Sequence, residues 1–153
     1  MESNYKNLLE LNLHKKIINK IKKKGKKNKA LSIFKNILNN MHNEFPNENS
    51  FEKIENSLNN IKPNFKIKMR KRYKKIVEIP VPIRSNNESK QIAINWILEN
   101  ARKNNKESFK KTINSEFFQA AMNEGLGKNK QELITQSVIL NKRVMFTNLI
   151  NKK

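Results

Sequence analysis

The segment KPNFKIKMRKRYKKIVEIPVPIR occupies residues 62–84 and determines the architecture expected for this chain. Apolar and cationic side chains alternate in its first half, from Phe65 to Arg70, and apolar side chains recur at every second position from Val77 to Ile83. This period of two is that of a half-buried β-strand. Between the two runs, residues 71–75 carry four cations and one aromatic ring, so the segment predicts an antiparallel hairpin with a charged tip.

Two prolines restrict the neighbours of this hairpin. Pro80 and Pro82 lack an N–H and lie two residues apart, so both missing donors face the same side of the second strand. That side must be unpaired, which excludes a central sheet strand. We therefore expect a two-stranded ribbon arm at about residues 64–84. Because isolated hairpins are marginally stable in water, its base should rest on helices or its tip on a partner.

Helical periodicity precedes the ribbon. Apolar residues at three-to-four spacing predict a first helix that ends at Gly25 and a second helix over about residues 28–43. A short third helix is expected to begin at Ser50 as its N-cap and to stop before Pro63.

Three further helices are expected after the ribbon. Trp96 lies on the apolar stripe of a fourth helix and is predicted to be a core residue. Gly125 should end a fifth helix, and the sixth should include Val144 and Met145. The fold class is therefore mainly α: a single domain over residues 1–153, with six helices and an inserted two-stranded β-ribbon arm.

Charge is the strongest indication of function. The 153 residues include 33 Lys and Arg against 13 acids, all of them Glu, and the formal net charge is +20. No carboxylate lies between Glu10 and Glu44, or between Glu55 and Glu78. Such acid-free blocks concentrate positive potential on particular faces, which is typical of a nucleic-acid binder rather than of an ordinary solvated surface.

Several other classes of function are excluded by composition. The chain has no cysteine, and His14 and His42 have no partner at ligand spacing, so we expect no metal site and no cofactor. The Glu residues are scattered and no Asp joins them, so we expect no enzyme. No run of about 18 apolar residues is present, so no membrane span is expected. The start of the chain resembles neither a signal nor a transit peptide, which predicts an unprocessed protein.

The candidate RNA contacts are cations able to neutralise phosphates, with affinity that falls steeply as salt rises. Among the candidates, Tyr73 could stack on a base or pack on the ribbon. The pairs Arg102-Lys103 and Lys142-Arg143, which close the fourth and sixth helices, suit helix dipoles and phosphates equally well. The candidates are Lys20, Lys22, Lys23, Lys24, Gly25, Lys26, Lys27 and Lys29 at the first helical turn, Lys66, Lys68, Arg70, Lys71, Arg72, Tyr73, Lys74 and Lys75 on the ribbon, and Arg84, Arg102, Lys103, Lys142 and Arg143.

Five motifs, in this order and spacing, resemble the bacterial-type small-subunit ribosomal protein S seven family. They are the helical pair around Gly25-Lys26-Lys27, the Lys62-Pro63 start of the ribbon, its Ile79-Pro80-Val81-Pro82-Ile83-Arg84 exit, the helix Trp96-Ile97-Leu98-Glu99-Asn100-Ala101-Arg102, and Asn141-Lys142. The resemblance covers roughly residues 9–146. It departs from the family at the ribbon tip, where Tyr73-Lys74 stands in place of two glycines, and at a short arm before the first helix.

The resemblance implies a six-helix body and a ribbon arm that bind the 3′ major domain of small-subunit ribosomal RNA and help to assemble the head. It places the ribbon near the exit-site transfer RNA and the messenger RNA path, beside ribosomal protein S eleven. By position, residues 23–27, residues 66–70 and Arg84 would meet ribosomal RNA, while residues 72–75 would reach toward the exit site.

Composition also indicates the cellular origin of the protein, and two other functions fit the sequence. Abundant Lys, Asn and Ile indicate an AT-rich gene, which favours a mitochondrial ribosome over a plastid or an AT-rich bacterial cytoplasm. The alternative function is an architectural DNA-binding protein that uses the ribbon as a groove-inserting arm. A third is a basic interfacial helix, formed by residues 9–29, that binds anionic lipid.

Overall fold

The computed structural model describes residues 2–72, 75–104 and 107–143. Side chains are described for all of these residues except 2–11, 72 and 75. Over these ranges the fold is a body of helices with one two-stranded antiparallel ribbon between the third and fourth, which confirms the expected fold class. The elements are α1 Glu2–Ile21, α2 Lys27–Glu44, α3 Ser50–Ile61, β1 Phe65–Arg72, β2 Lys75–Pro82, α4 Asn86–Lys103, α5 Phe109–Ala121 and α6 Gly125–Leu140.

Helix α4 packs against four other helices, α1, α3, α5 and α6. Its buried face includes Ala93 and Ala101, whose small side chains let neighbouring helices approach closely. The core around it is filled mainly by branched aliphatic side chains, which are well ordered when buried. Its fully buried members include Ile17, Ile37, Ile54, Leu58, Ile61, Ile94, Ile97, Ile113 and Phe117.

The ribbon pairs its strands in a register that separates the two apolar rows. Ile67 lies opposite Pro80 and Lys68 lies opposite Ile79. Directly opposed residues share a face, so the apolar side chains of β1 lie with the prolines, while those of β2 lie among the cations of β1. The strands also extend further than expected, because Lys71 and Arg72 belong to β1 and Lys75 begins β2. Tyr73 and Lys74 lie outside the described residues.

Several helix ends differ from the sequence expectation. Helix α1 begins at Glu2, so the short arm expected before it is part of the helix. The N-cap of α3 is Asn49 rather than Ser50, because the Asn49 side chain accepts a hydrogen bond of 3.0 Å from the Phe51 N–H. Helix α5 ends at Ala121, and Gly125 instead begins α6. Val144 and Met145 lie outside the described residues.

Left-handed backbone positions follow both α1 and α5. Helix α1 ends at Ile21, four residues before Gly25 rather than at it, and Lys24 (φ +50°) and Gly25 (φ +73°) reverse the chain between α1 and α2. After α5 the backbone is left-handed at Asn123 (φ +62°) and again at Gly125 (φ +88°). Asparagine tolerates this conformation better than most residues, which is why the glycine two residues later was not needed to stop the helix.

Trp96 is not a core residue, and that expectation was wrong. It is half-buried on α4, outside the buried cluster that holds Ile97 and Leu98 on the same helix. The buried face of α4 is centred on Ala93, Ile97 and Ala101, and Trp96 lies at the edge of that face. Periodicity located the apolar stripe correctly but could not show how wide the buried part of it is.

Replacing Asn49 by Ala should lower the free energy of unfolding by about 1 kcal/mol, because the α3 N–H of Phe51 loses its acceptor. The matched control is Ser50→Ala, one residue along, which removes a hydroxyl that caps nothing. Urea unfolding of the two variants measures the difference. Equal losses, or a larger loss for Ser50→Ala, would show that the cap is misassigned.

One acid is buried between α4 and α5. Glu116 is 9% exposed, and its Oε2 accepts a hydrogen bond of 3.2 Å from Asn100 Nδ2. Burial raises the pKa of the Glu116 carboxyl above its ordinary value, while the Asn100 bond and the charge of Lys130 act in the opposite direction. The folded protein therefore keeps this proton to a higher pH than the unfolded chain does.

A raised folded pKa means that stability is lost as pH rises from the unfolded pKa through the folded one. Glu116→Gln cannot ionise, and its amide oxygen can still accept from Asn100. We expect the variant and the parent to have similar unfolding midpoints near pH 4, and the variant to be the more stable at about pH 8. The exposed control Glu132→Gln should show no such difference between the two pH values. A Glu116→Gln curve parallel to that of the parent would contradict the assignment.

Candidate nucleic-acid interface

The connection between α1 and α2 forms an exposed cationic surface, which we call the turn surface. Every lysine in it is exposed, and none forms an ion pair with any described residue. The left-handed backbone at Lys24 and Gly25 reverses the chain within a few residues, so lysines from both helices lie close together. The turn surface comprises Lys20, Lys22, Lys23, Lys24, Lys26, Lys27 and Lys29.

Arg102 joins the turn surface from far along the chain. Its Nη2 donates a hydrogen bond of 3.1 Å to the backbone oxygen of Lys20, in the last turn of α1. A guanidinium at a helix C-terminus complements the dipole, so Arg102 performs the structural role that the sequence left open. The guanidinium has five N–H donors, and one such bond leaves capacity for a phosphate. Lys103 beside it is exposed.

A cleft of about 490 Å³ lies between the turn surface and the junction of α4 with α5. Lys23, Lys26 and Lys29 line it from one side and Arg102 from the other. These cations are predictable from the sequence. The cleft is not, because the two walls of the cleft are separated by about 70 residues of chain. The arrangement therefore provides a concave cationic surface rather than a flat one.

The ribbon carries cations on both faces. Lys66, Lys68 and Arg70 share one face because alternate residues of a strand point to the same side, and each lies opposite an apolar residue of β2. Lys68 and Arg70 are exposed, whereas Lys66 lies at the base and forms an ion pair with Glu88 of α4. Lys71 is exposed on the opposite face. The side chains of Arg72 and Lys75 lie outside the described residues, as do Tyr73 and Lys74.

The base of the ribbon is held by α4 and α6. Lys62 Nζ donates a hydrogen bond of 3.0 Å to Asn86 Oδ1, and Gln131 Nε2 donates one of 2.8 Å to the Lys62 oxygen. The Lys66–Glu88 pair is a third contact at the same place. The positioning roles of Asn86, Glu88 and Gln131 could not be predicted from the sequence, since single polar residues on helices carry no periodic signal.

The remaining candidates lie away from the cleft. Arg84 is exposed in the segment that joins the ribbon to α4. Lys142 and Arg143 are exposed beyond the end of α6. Neither of these positions lines the cleft.

Two negative findings apply to the described part of the chain. Over those residues, no group of three or more His, Cys, Asp or Glu side chains is placed to hold a metal ion. No helix among them is long and apolar enough to cross a membrane.

The ring of His14 packs against two aromatic rings. Its centroid lies 5.3 Å from that of Phe34 and 4.3 Å from that of Phe51.

Comparison with known proteins identifies the family of this chain. None of the curated proteins matches the chain significantly. Residues 2–142 match the family described as Ribosomal protein S7p/S5e, whose members are structural, non-enzymatic proteins that bind small-subunit ribosomal RNA and function in translation. This match confirms the resemblance seen in the five sequence motifs and agrees with the observed helical body and ribbon. The chain therefore belongs to the ribosomal protein S7p/S5e family.

Proposed function

We propose that this protein binds the 3′ major domain of small-subunit ribosomal RNA through two cationic surfaces and thereby supports assembly of the head. The observation that carries the proposal is that α4 holds both surfaces. Its first turn binds the base of the ribbon through Asn86 and Glu88, and its last turn binds the end of α1 through Arg102. The helix has 18 residues, which at 1.5 Å each span about 27 Å.

Contact with phosphates supplies most of the affinity in this account. Lysines without acidic partners keep their full charge for the RNA backbone, and binding releases the counterions that the phosphates had condensed. The turn surface supplies seven such lysines. The ribbon supplies Lys68 and Arg70 beyond its paired base. Two surfaces held at a set distance can bind separate parts of a folded RNA, which is how a small protein orders an RNA domain.

The ribbon, in this proposal, extends from the body toward the exit-site transfer RNA and the messenger RNA path. Its two faces differ in chemistry near the tip. Lys68 and Arg70 lie on one face, while Met69 and Ile76, which are 65% and 72% exposed, lie on the other together with exposed Lys71. The first face suits RNA, and the exposed apolar side chains of the second suit a neighbouring protein such as ribosomal protein S eleven.

We assign the ribosome to a mitochondrion on the strength of composition. The 28 lysines greatly outnumber the 5 arginines, and Asn and Ile are also abundant. Codons for Lys, Asn and Ile are rich in A and T, as organelle genomes often are. A plastid or an AT-rich bacterium would give the same composition, and cell fractionation with an antibody against the protein separates the three.

The double variant Lys26→Ala, Lys27→Ala tests the turn surface. We expect weaker binding to small-subunit ribosomal RNA, and a salt dependence of log K that is shallower by about 1–2, because two phosphate contacts are lost. The matched control is Lys110→Ala, Lys111→Ala, which removes the same charge from an exposed part of α5 outside the proposed surfaces.

The proposal fails if the two double variants bind alike, or if the parent protein prefers DNA of equal length to the RNA. Circular dichroism should show unchanged helicity in both variants, since each altered residue is exposed. A large loss of helicity in Lys26→Ala, Lys27→Ala would instead show that these lysines maintain the turn.

A further inference from the structure

The cleft beside the turn surface combines an apolar floor with a cationic rim. Its floor contains Ile21, Ala30 and Ala101, none more than 5% exposed. Ile33 and the ring of Phe109, both half-buried, also line it. Its volume of about 490 Å³ falls within the range of small-ligand sites. Phosphate binding alone does not require an apolar floor, so the floor indicates that the ligand also has an apolar part.

The rim has the opposite chemistry. Lys23, Lys26, Lys29 and Arg102 line the cleft with one acid, Glu107. A ligand that satisfies both parts must carry an uncharged planar group and at least one phosphate. A nucleotide has this composition: its base can pack on apolar and aromatic side chains, and its phosphates can bind the cations around it.

We propose that this cleft receives one unstacked base of the small-subunit RNA, with the flanking phosphates on the lysines of the rim. The proposal rests on the function proposed above and adds a specific site to it. Asn104 and Glu107 also line the cleft and offer polar groups to the edge of the inserted base.

The cleft is held open before RNA arrives. Arg102 is bonded to the Lys20 oxygen, which fixes the end of α4 against the end of α1. The floor residues Ile21, Ala30 and Ala101 belong to the buried core and come from three different helices. A site built on packed helices loses little conformational entropy on binding, so base insertion contributes to affinity as well as to position.

Filling the cleft tests the proposal without altering charge. Ile33→Trp places a larger side chain in the cleft, and Leu31→Trp makes a comparable change at a half-buried position of α2 that does not line it. The probe is full-length small-subunit ribosomal RNA. We expect Ile33→Trp to weaken binding by about tenfold to a hundredfold, the contribution of one inserted base, with an unchanged salt slope. Leu31→Trp should bind as the parent does.

Chemical probing of Watson–Crick edges locates the base. In RNA saturated with the parent protein, one unpaired base should be protected, and it should become reactive in the Ile33→Trp complex. Equal binding by the two tryptophan variants, or the same reactivity pattern in both complexes, overturns the cleft proposal while leaving the proposed function intact. Failure of the parent itself to bind the RNA overturns the proposed function as well.

A second variant covers the case in which Ile33→Trp does not fold. Replacing Phe109 by the photoreactive residue p-benzoylphenylalanine keeps an aromatic ring in the cleft. Irradiation of its complex with the RNA should crosslink a single nucleotide. Crosslinks spread over many nucleotides, or none at all, contradict base insertion.

Discussion

The position of α4 is the constraint on which the rest of this structure depends. The helix is buried against four others, and its two ends make the polar contacts that locate the cationic surfaces. Asn86 and Glu88 at one end hold the base of the ribbon, and Asn87 accepts a hydrogen bond of 2.8 Å from Lys16 of α1. Arg102 at the other end holds the turn. A shift of α4 would therefore move the ribbon, the turn and the cleft relative to one another.

Several of the few acidic residues form ion pairs with lysines. Ion pairs among the described residues include those of Lys53 with Glu48, Lys66 with Glu88, Lys90 with Glu55 and Lys130 with Glu99. Each partly exposed pair contributes little to stability, but each removes a cation from the uncompensated set. The turn surface receives no such partner. The uncompensated cations of the described residues therefore include all seven lysines of the turn surface.

Elements with strong local signals could be predicted from the sequence. Alternation from Phe65 to Arg70 and the paired prolines were enough for a two-stranded ribbon, and helical spacing was enough for the helices around it. The strand register was not predictable, because it depends on how the two strands meet rather than on either pattern alone. The cap of α3 was placed one residue late, since Asn49 and Ser50 are both good N-caps and only the side-chain geometry distinguishes them.

The candidate site was predictable in its charges but not in its shape. Acid-free blocks located the lysines of the turn and ribbon, since charge clustering is visible along the chain. The cleft requires Arg102 and Phe109 to meet Lys23 and Lys26, and no pattern in one sequence shows that meeting. Trp96 illustrates the same limit, because an apolar stripe does not reveal which of its residues lie at the edge.

The most direct test of the central claim is to crosslink the protein to RNA in the cells that make it, and to sequence the RNA while mapping the crosslinked peptides. The account predicts that the sequences fall in the 3′ major domain of small-subunit ribosomal RNA, with crosslinks on both the turn surface and the ribbon. Sequences scattered over unrelated transcripts, or crosslinks confined to one surface, would contradict it.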